Sequence, residues 1–467
     1  MIFSPMDGNG SMSAADVVLD LPLAKMSRAM IEGEVSAEAL VDAAIRRIDA
    51  VNPTINAVVQ LARDEARARA READLARSRN AVMGVLHGIP MTIKDSLDTA
   101  GIVSTGGTLG RKKFIPARDA SVVSRLREAG AILIGKTNTP ELTLSYQTSN
   151  EIYGRTCNPY DLTRTAGGSS GGAAAIVCTG AVPFDIGSDT GGSLRIPAHY
   201  CGVVSLKPTE GRVPRTGHII PFGGHLDRLT TLGPIARFTE DVDLLVRLIA
   251  GPDGRDPAVV PMNWREPAAV ALESLRIAYH FENGVGRPSA ETVAATRGAA
   301  GVLREVVAQV DEVIPPPARD ASELFANLYA ADGGAWRRRL LIAAGTLHKG
   351  AEASTSGAGL SASAFSALME KWDRFRSDML QCLDAYDVLL CPVTAGPAPL
   401  HGAGNPSDFS YTQVFSLTGW PCVVVRCGSN GSLPIGLQIV ARPWREDIAL
   451  RVAAHLERAL GGWRKPA

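Results

Sequence analysis

Two glycine-rich runs carry serines: Thr165-Ala166-Gly167-Gly168-Ser169-Ser170-Gly171-Gly172, and Asp189-Thr190-Gly191-Gly192-Ser193-Leu194-Arg195. A lysine precedes both, in Gly88-Ile89-Pro90-Met91-Thr92-Ile93-Lys94-Asp95. A serine hydroxyl is a weak nucleophile until a base removes its proton, and a lysine kept neutral by burial is such a base, directly or through a second hydroxyl. Ser193 is the candidate nucleophile, because the two glycines before it permit a sharp turn and close approach of a substrate. Its bland reading, a glycine turn with an incidental serine, loses ground because the other two segments are present. Either Ser169 or Ser170 can be the relay hydroxyl, and the motif alone does not choose. The backbone N–H groups of Thr190, Gly191, Gly192 and Ser193 form a candidate oxyanion hole, in which each donor is worth roughly 2.7–4 kcal/mol in a transition state.

A lysine is by default a solvated surface charge. Ile89, Met91 and Ile93 argue instead for a buried strand that delivers Lys94 at its end, where desolvation raises the neutral fraction. Asp95 follows it on the opposite face and reads as structural. Asp189 and Arg195 flank the second serine loop and are expected to hold it rigid through hydrogen bonds.

Other chemistries fit less well. None of the eight histidines has a metal-ligand spacing, and His87 and His199, the nearest to the motifs, have no distinctive context for a Ser–His pair. Residues Gly130-Ala131-Ile132-Leu133-Ile134-Gly135-Lys136-Thr137 match the phosphate-loop pattern GxxxxGK[ST]. That function needs a flexible loop before the lysine and a helix after it. Here the intervening residues are apolar and strand-like, and Pro140 follows closely. Nucleotide binding is therefore not expected.

Strands alternate with helices around these motifs. Ser36 opens a helix through Leu40, Val41, Ala44, Ile45 and Ile48, with Pro53 as its stop. Residues 63–77 read as a solvated helix with a thin Ala/Leu face. A strand covers 90–93, Asp119 caps a helix closed by Gly130, and 131–134 is a short buried strand. A small-residue helix over 171–179 follows the first serine loop. Strands are expected at 182–186, 203–206 and around 388–392, and Asn430-Gly431 marks a hairpin between 423–425 and 435–440. A last helix covers 447–460. This alternation implies an α/β fold: a large mixed β-sheet covered by helices on both faces. Residues 1–14 read as a loose leader and 15–467 as a single large domain. Its catalytic core is expected at about 84–215, and a variable substrate region at about 255–385. Residues 345–363 are expected to loop out.

Composition sets the outer bounds. The chain has 467 residues, 48 basic and 48 acidic. It has no net field to draw in nucleic acid or an anionic membrane. No stretch is apolar enough to span a bilayer, and the N-terminus lacks a signal-peptide pattern. Seven cysteines without a CxxC pair favour free thiols in a reducing compartment, Cys178, Cys201 and Cys422 being small buried hydrophobes. The expected location is the cytoplasm.

From about residue 35 to 460 the chain resembles the amidase signature family of serine hydrolases, most densely over 84–215. Gly135-Lys136-Thr137-Asn138-Thr139-Pro140-Glu141 and Cys201-Gly202-Val203-Val204-Ser205-Leu206-Lys207-Pro208-Thr209 add to the match. The resemblance implies an amidase: a carboxamide is cut to a carboxylate and an amine or ammonia through an acyl-enzyme. It assigns Lys94, Ser169 and Ser193 as the triad, with a cis peptide bond entering Ser169 and Ser170 in support. It sets the backbone at Thr143 beside the acyl group. It implies no metal and no organic cofactor, and a small-molecule amide as partner, with a homodimer among the open assembly states. One alternative is the glutaminase subunit of a tRNA-dependent amidotransferase. That branch usually carries a tyrosine-rich helical stretch, where this chain is Ala/Gly/Arg-rich near residues 325–341. Another is a non-catalytic binding protein on the same scaffold, which predicts loss of motif residues, yet all three motifs are present. The chain departs from the family pattern at Phe415-Ser416-Leu417-Thr418-Gly419-Trp420-Pro421-Cys422 and at Arg426. Phe222, Phe325, Trp336 and Phe415 suggest an apolar acyl group.

Overall fold

The structure, a computed structural model, describes residues 13–81, 84–346 and 357–466. Most of the expected leader and most of the 345–363 loop lie outside the described residues. Eleven strands form one mixed sheet. Its order is Val58–Leu61, Ile132–Thr137, Pro90–Lys94, Phe184–Asp189, Thr231–Ala236, Val204–Lys207, Cys422–Asn430, Leu433–Ala441, Val388–Pro392, Arg276–Tyr279 and Gln309–Glu312. Pro90–Lys94 runs parallel to both its neighbours, and so does Arg276–Tyr279. The other pairings are antiparallel.

Successive strand residues face opposite sides of a sheet, and here the two sides feed two apolar clusters. Val388, Leu390, Ile277 and Ile439 join one cluster, together with the helices Ala37–Ile55, Gly171–Cys178, Thr239–Ile249 and Glu446–Leu460. Leu389, Cys391, Ala278 and Val440 join the other, with Ala321–Ala330, Ala335–Ala343, Ala362–Cys382 and Ser410–Thr418. Both faces are therefore covered, and the central strands are apolar on both sides, as buried strands must be.

Local expectations hold closely at the motif-bearing elements. Lys94 ends its strand, the small-residue helix spans Gly171–Cys178, and the Asn430 hairpin forms with Asn430 opposite Leu433. Two cap assignments need correction. Pro53 does not stop the first long helix, which runs to Ile55; a proline near a C-terminus removes only a late donor, and the helix ends at Asn56 in the left-handed region. Asp119 does not cap Ser121–Glu128. Its carboxylate accepts instead from the Ala100 N–H and pairs with Arg127.

Candidate active site

Three chain segments meet at the carboxyl ends of the two parallel strands Pro90–Lys94 and Phe184–Asp189, where open α/β sheets commonly place ligands. The first strand delivers Lys94. The second delivers Ser188 and Asp189 and then turns through Thr190–Ser193. Ser169 and Ser170 sit just before the Gly171–Cys178 helix, and the Gly168–Ser169 bond is cis.

Lys94 is fully buried, and its Nζ lies 2.7 Å from Ser169 Oγ, 2.9 Å from Ser170 Oγ and 2.9 Å from Ser188 Oγ. Burial lowers its pKa to about 7, against the opposing pull of the Asp189 and Asp185 carboxylates. Three hydroxyls match the three donors of an ammonium. A neutral amine keeps two donors and uses its lone pair to accept from one hydroxyl. The surroundings decide which hydroxyl can give a proton. Ser170 Oγ donates to the Ser188 carbonyl at 3.2 Å, so its proton is committed. Ser169 has no partner other than Lys94 among the described bonds. Of the two hydroxyls that the motif left open, Ser169 is the one whose proton is not committed elsewhere among the described bonds.

The second serine loop is held by one carboxylate. Asp189 accepts from the N–H groups of Gly192 at 2.8 Å, Leu194 at 3.1 Å and Arg195 at 3.4 Å, and from Arg195 Nε and Nη2, each at 3.0 Å. Burial alone would raise the Asp189 pKa, but the Arg195 guanidinium and these hydrogen bonds hold it below the usual range. Arg195 reaches on to the Thr412 carbonyl, Ser416 Oγ and Gln438 Oε1, tying the loop to the Ser410–Thr418 helix. Gly192 is obligatory: its φ is 134°, and a Cβ there would lie 2.6 Å from Thr412 Oγ1.

One of the four N–H groups expected to form the oxyanion hole is already engaged. The Gly192 N–H belongs to Asp189 and is not free for a substrate. Among the described residues, no hydrogen bond engages the N–H groups of Thr190, Gly191 and Ser193. Ser170 N–H donates to the Ser193 carbonyl at 3.2 Å and so locks the two serine loops together.

Ser193 opens onto a cavity of 280 Å³. Thr143, Leu144, Tyr146, Thr190, Gly191, Phe325, Tyr329 and Gln413 line it. Thr143 lines this cavity from a backbone stretch with two successive left-handed residues, Leu142 and Thr143. Phe325 also lines the cavity, but Phe222 and Phe415 do not. Phe222 lies against Arg215, and Phe415 is buried in the second apolar cluster. Trp336 lines an adjoining chamber. Trp420 and Cys422 are buried outside the cavity, and Arg426 lies over the Tyr160 ring, so these departures concern packing.

Three site residues escaped the sequence reading. Ser188 had a weak signal, since it directly precedes the loop aspartate on a buried strand. Tyr146 and Gln413 had none. Their positions depend on a loop and a helix from distant parts of the chain, and Gln413 Nε2 reaches Tyr146 Oη at 3.5 Å. Gln413 Oε1 is buried without a hydrogen-bond partner among the described residues. Neither nearby histidine competes as a base. His199 uses both nitrogens, toward the Gly396 carbonyl and the Gly436 N–H, and burial lowers its pKa to about 4. His87 bonds the Ala73 carbonyl in a different groove. Lys136, the lysine of the phosphate-loop match, is a buried strand residue bonded to Thr99 Oγ1 at 2.6 Å and to the Leu97 carbonyl. No group of three or more His, Cys, Asp or Glu is placed to hold a metal among the described residues. No described helix is long and apolar enough to cross a membrane.

The amidase family model matches residues 39–450. The chain belongs to the amidase family. A glutamyl-tRNA(Gln) amidotransferase subunit from Roseiflexus sp. (strain RS-1) is 34% identical over 94% of this chain and 96% of that relative. A solved 6-aminohexanoate cyclic dimer hydrolase superposes with a TM-score of 0.86 at 30% identity, covering 96% of this chain and 99% of its own. A bacterial aryl acylamidase gives a TM-score of 0.82 at 26% identity over 94% and 96% of the two chains. This amidase is an amide-cleaving enzyme with the large mixed sheet of its family.

Proposed function

We propose that this amidase hydrolyses amides that carry no charge close to the scissile bond and have an apolar acyl group, using Ser193 as nucleophile, Ser169 as relay and Lys94 as base. The observation that carries the reading is the buried Lys94 amine, 2.7 Å from a serine hydroxyl that has no other partner in the described structure. Neutral Lys94 takes the Ser169 proton as Ser169 takes that of Ser193, and Ser193 attacks the carbonyl. The Thr190, Gly191 and Ser193 N–H groups receive the oxyanion. The proton returns through Ser169 to the leaving nitrogen. Water then attacks the acyl-enzyme by the same relay and frees the carboxylate. Asp189 and Arg195 set the loop geometry and take no proton. No step calls for a metal or an organic cofactor.

The cavity wall supports the substrate class. Among the described residues, it carries aromatic rings, an amide and hydroxyls but no charged side chain. Burying a carboxylate or ammonium there without a counter-ion would be costly.

A second reading is favoured by the relatives: a glutaminase subunit that works with partner subunits and delivers ammonia to a tRNA-bound substrate. Free glutamine brings an ammonium and a carboxylate close to its amide, and the described lining next to Ser193 offers a counter-ion to neither. Two measurements separate the readings. A fluorophosphonate probe on wild type and Ser193→Ala tests the nucleophile, and labelling that survives the substitution overturns it. Turnover of neutral anilides against ammonia release from glutamine tests the substrate. Glutamine turnover with no anilide turnover would select the second reading.

A further inference from the structure

A second chamber, 450 Å³ in volume, adjoins the catalytic cavity and shares Leu144 and Tyr329 with it. Its other walls include Ala330, Trp336 and Ala358, which are apolar, and the close-set Gly333 and Gly334. Among the described residues, the charged ones that line it are Asp332 and Arg337. The Asp332 carboxylate is already committed. It accepts from the N–H groups of Gly334 at 3.1 Å and Trp336 at 2.6 Å, and it lies 3.7 Å from Arg339. The Arg337 guanidinium takes part in no hydrogen bond or ion pair among the described residues. The two adjoining spaces thus present, among the described residues, apolar walls, the candidate nucleophile in one and the uncommitted Arg337 guanidinium in the other.

We propose that the second chamber is a distal subsite for an amide substrate whose far end carries a carboxylate, and that Arg337 receives that carboxylate. The inference rests on the reading of Ser193 as nucleophile and extends it. An amide neutral at its reacting end and anionic at its remote end satisfies both spaces, because a planar guanidinium matches a carboxylate. The carboxylate could belong to either half of the substrate, and the test has an arm for each.

In the acyl arm, the substrates are ω-carboxyalkanoyl 4-nitroanilides of increasing chain length, each beside its methyl ester. In the amine arm, they are N-benzoyl ω-amino acids beside their methyl esters. In wild type the free acid of fitting length is expected to show a kcat/KM about five- to tenfold above its ester in one arm, carried by KM. This is the range between an exposed and a half-buried charge pair. High salt should shrink the preference. In Arg337→Ala the acid-to-ester ratio should fall to about one, and Arg337→Lys should restore part of it. The wild-type comparison needs no variant, so a poorly folding substitution leaves the test intact. Equal acid and ester in both arms, or a preference that survives Arg337→Ala, overturns the subsite. Fluorophosphonate labelling of wild type at Ser193 is scored separately. Labelling without an acid preference sinks the subsite alone, whereas no labelling sinks the underlying reading.

Discussion

Lowering the pH should switch the enzyme off through a single group. Lys94 acts as a base only when neutral, and its burial sets the pKa at about 7. The sign follows directly: the active form is the deprotonated one, so kcat/KM rises with pH through about 7 and then levels. At pH 7 about half the molecules hold a neutral amine, at pH 6 about one in ten and at pH 5 about one in a hundred. The acid limb should therefore have unit slope and span about two decades between plateau and pH 5. The assay is kcat/KM for a neutral anilide at constant ionic strength, run beside the rate of fluorophosphonate labelling. Labelling needs Ser193 activated but no product release, so agreement of the two limbs ties the pKa to nucleophile activation. Asp185 provides a second handle. Its carboxylate bonds Thr92 Oγ1 at 2.7 Å and Thr137 Oγ1 at 3.0 Å, and its charge raises the Lys94 pKa. Asp185→Asn removes that charge, so the limb should move to lower pH. A profile flat down to pH 5, or a limb displaced to higher pH in Asp185→Asn, would refute the neutral-lysine mechanism.

Separating the two adjacent hydroxyls is the next test: Ser169→Ala should lower kcat by about a thousandfold or more and Ser170→Ala by only about tenfold, measured as anilide turnover on folded protein. Thermal or denaturant unfolding of Arg195→Ala should show a loss of roughly 3–5 kcal/mol, because Asp189 would be left buried and unpaired. Gly191→Ala would place a Cβ 2.7 Å from Tyr146 Oη and 3.0 Å from Phe325 Cζ. Those side chains can yield, so the variant should fold but raise KM for bulky acyl groups by about tenfold while sparing acetamides, as a kinetic series would show. Lys94→Met tests the cost of the buried amine. A lysine whose folded pKa is depressed destabilises most at low pH, so wild type should gain on the variant by roughly 2–3 kcal/mol between pH 7 and 9 and gain nothing below pH 6.

The parts of the site legible in sequence were those built locally. Glycines beside Ser169 and Ser193, and the apolar strand before Lys94, are short-range signals, and each landed within a residue or two of its place. The Ser169/Ser170 choice was not legible from the motif. It depends on the Ser188 carbonyl, which accepts a hydrogen bond from the Ser170 hydroxyl across 18 positions of chain. The Gly192 N–H misled for a related reason. A glycine-rich loop reads as a row of free donors until one knows that Asp189 folds back on it. The cavity wall was least legible. Phe325, Tyr329 and Gln413 come from helices of the second apolar cluster, and no local pattern tells which turn of a helix faces a site on another strand's end. Phe415 shows the converse: its helix is the one that supplies Gln413, yet its own side is turned into the cluster.

Burial alone does not make a lysine a base. Lys94, Lys136 and Lys207 are all fully buried, and burial lowers the pKa of each. What separates them is the chemistry of their acceptors. Lys136 donates to the Leu97 carbonyl and Thr99, and Lys207 to the carbonyls of Trp420 and Pro208. A carbonyl can only accept, so it favours the ammonium form and cannot return a proton. Lys94 meets three hydroxyls and no carbonyl or carboxylate among its described hydrogen bonds. A hydroxyl can reverse its role from acceptor to donor without moving its oxygen, so Lys94 can lose its proton and still be satisfied. Its counter-charges, Asp185 and Asp189, act without a direct bond to the amine and keep the pKa from falling far below neutrality. Of the three buried amines, Lys94 is thus the one whose protonation can change during a reaction cycle while the packing around it stays fixed.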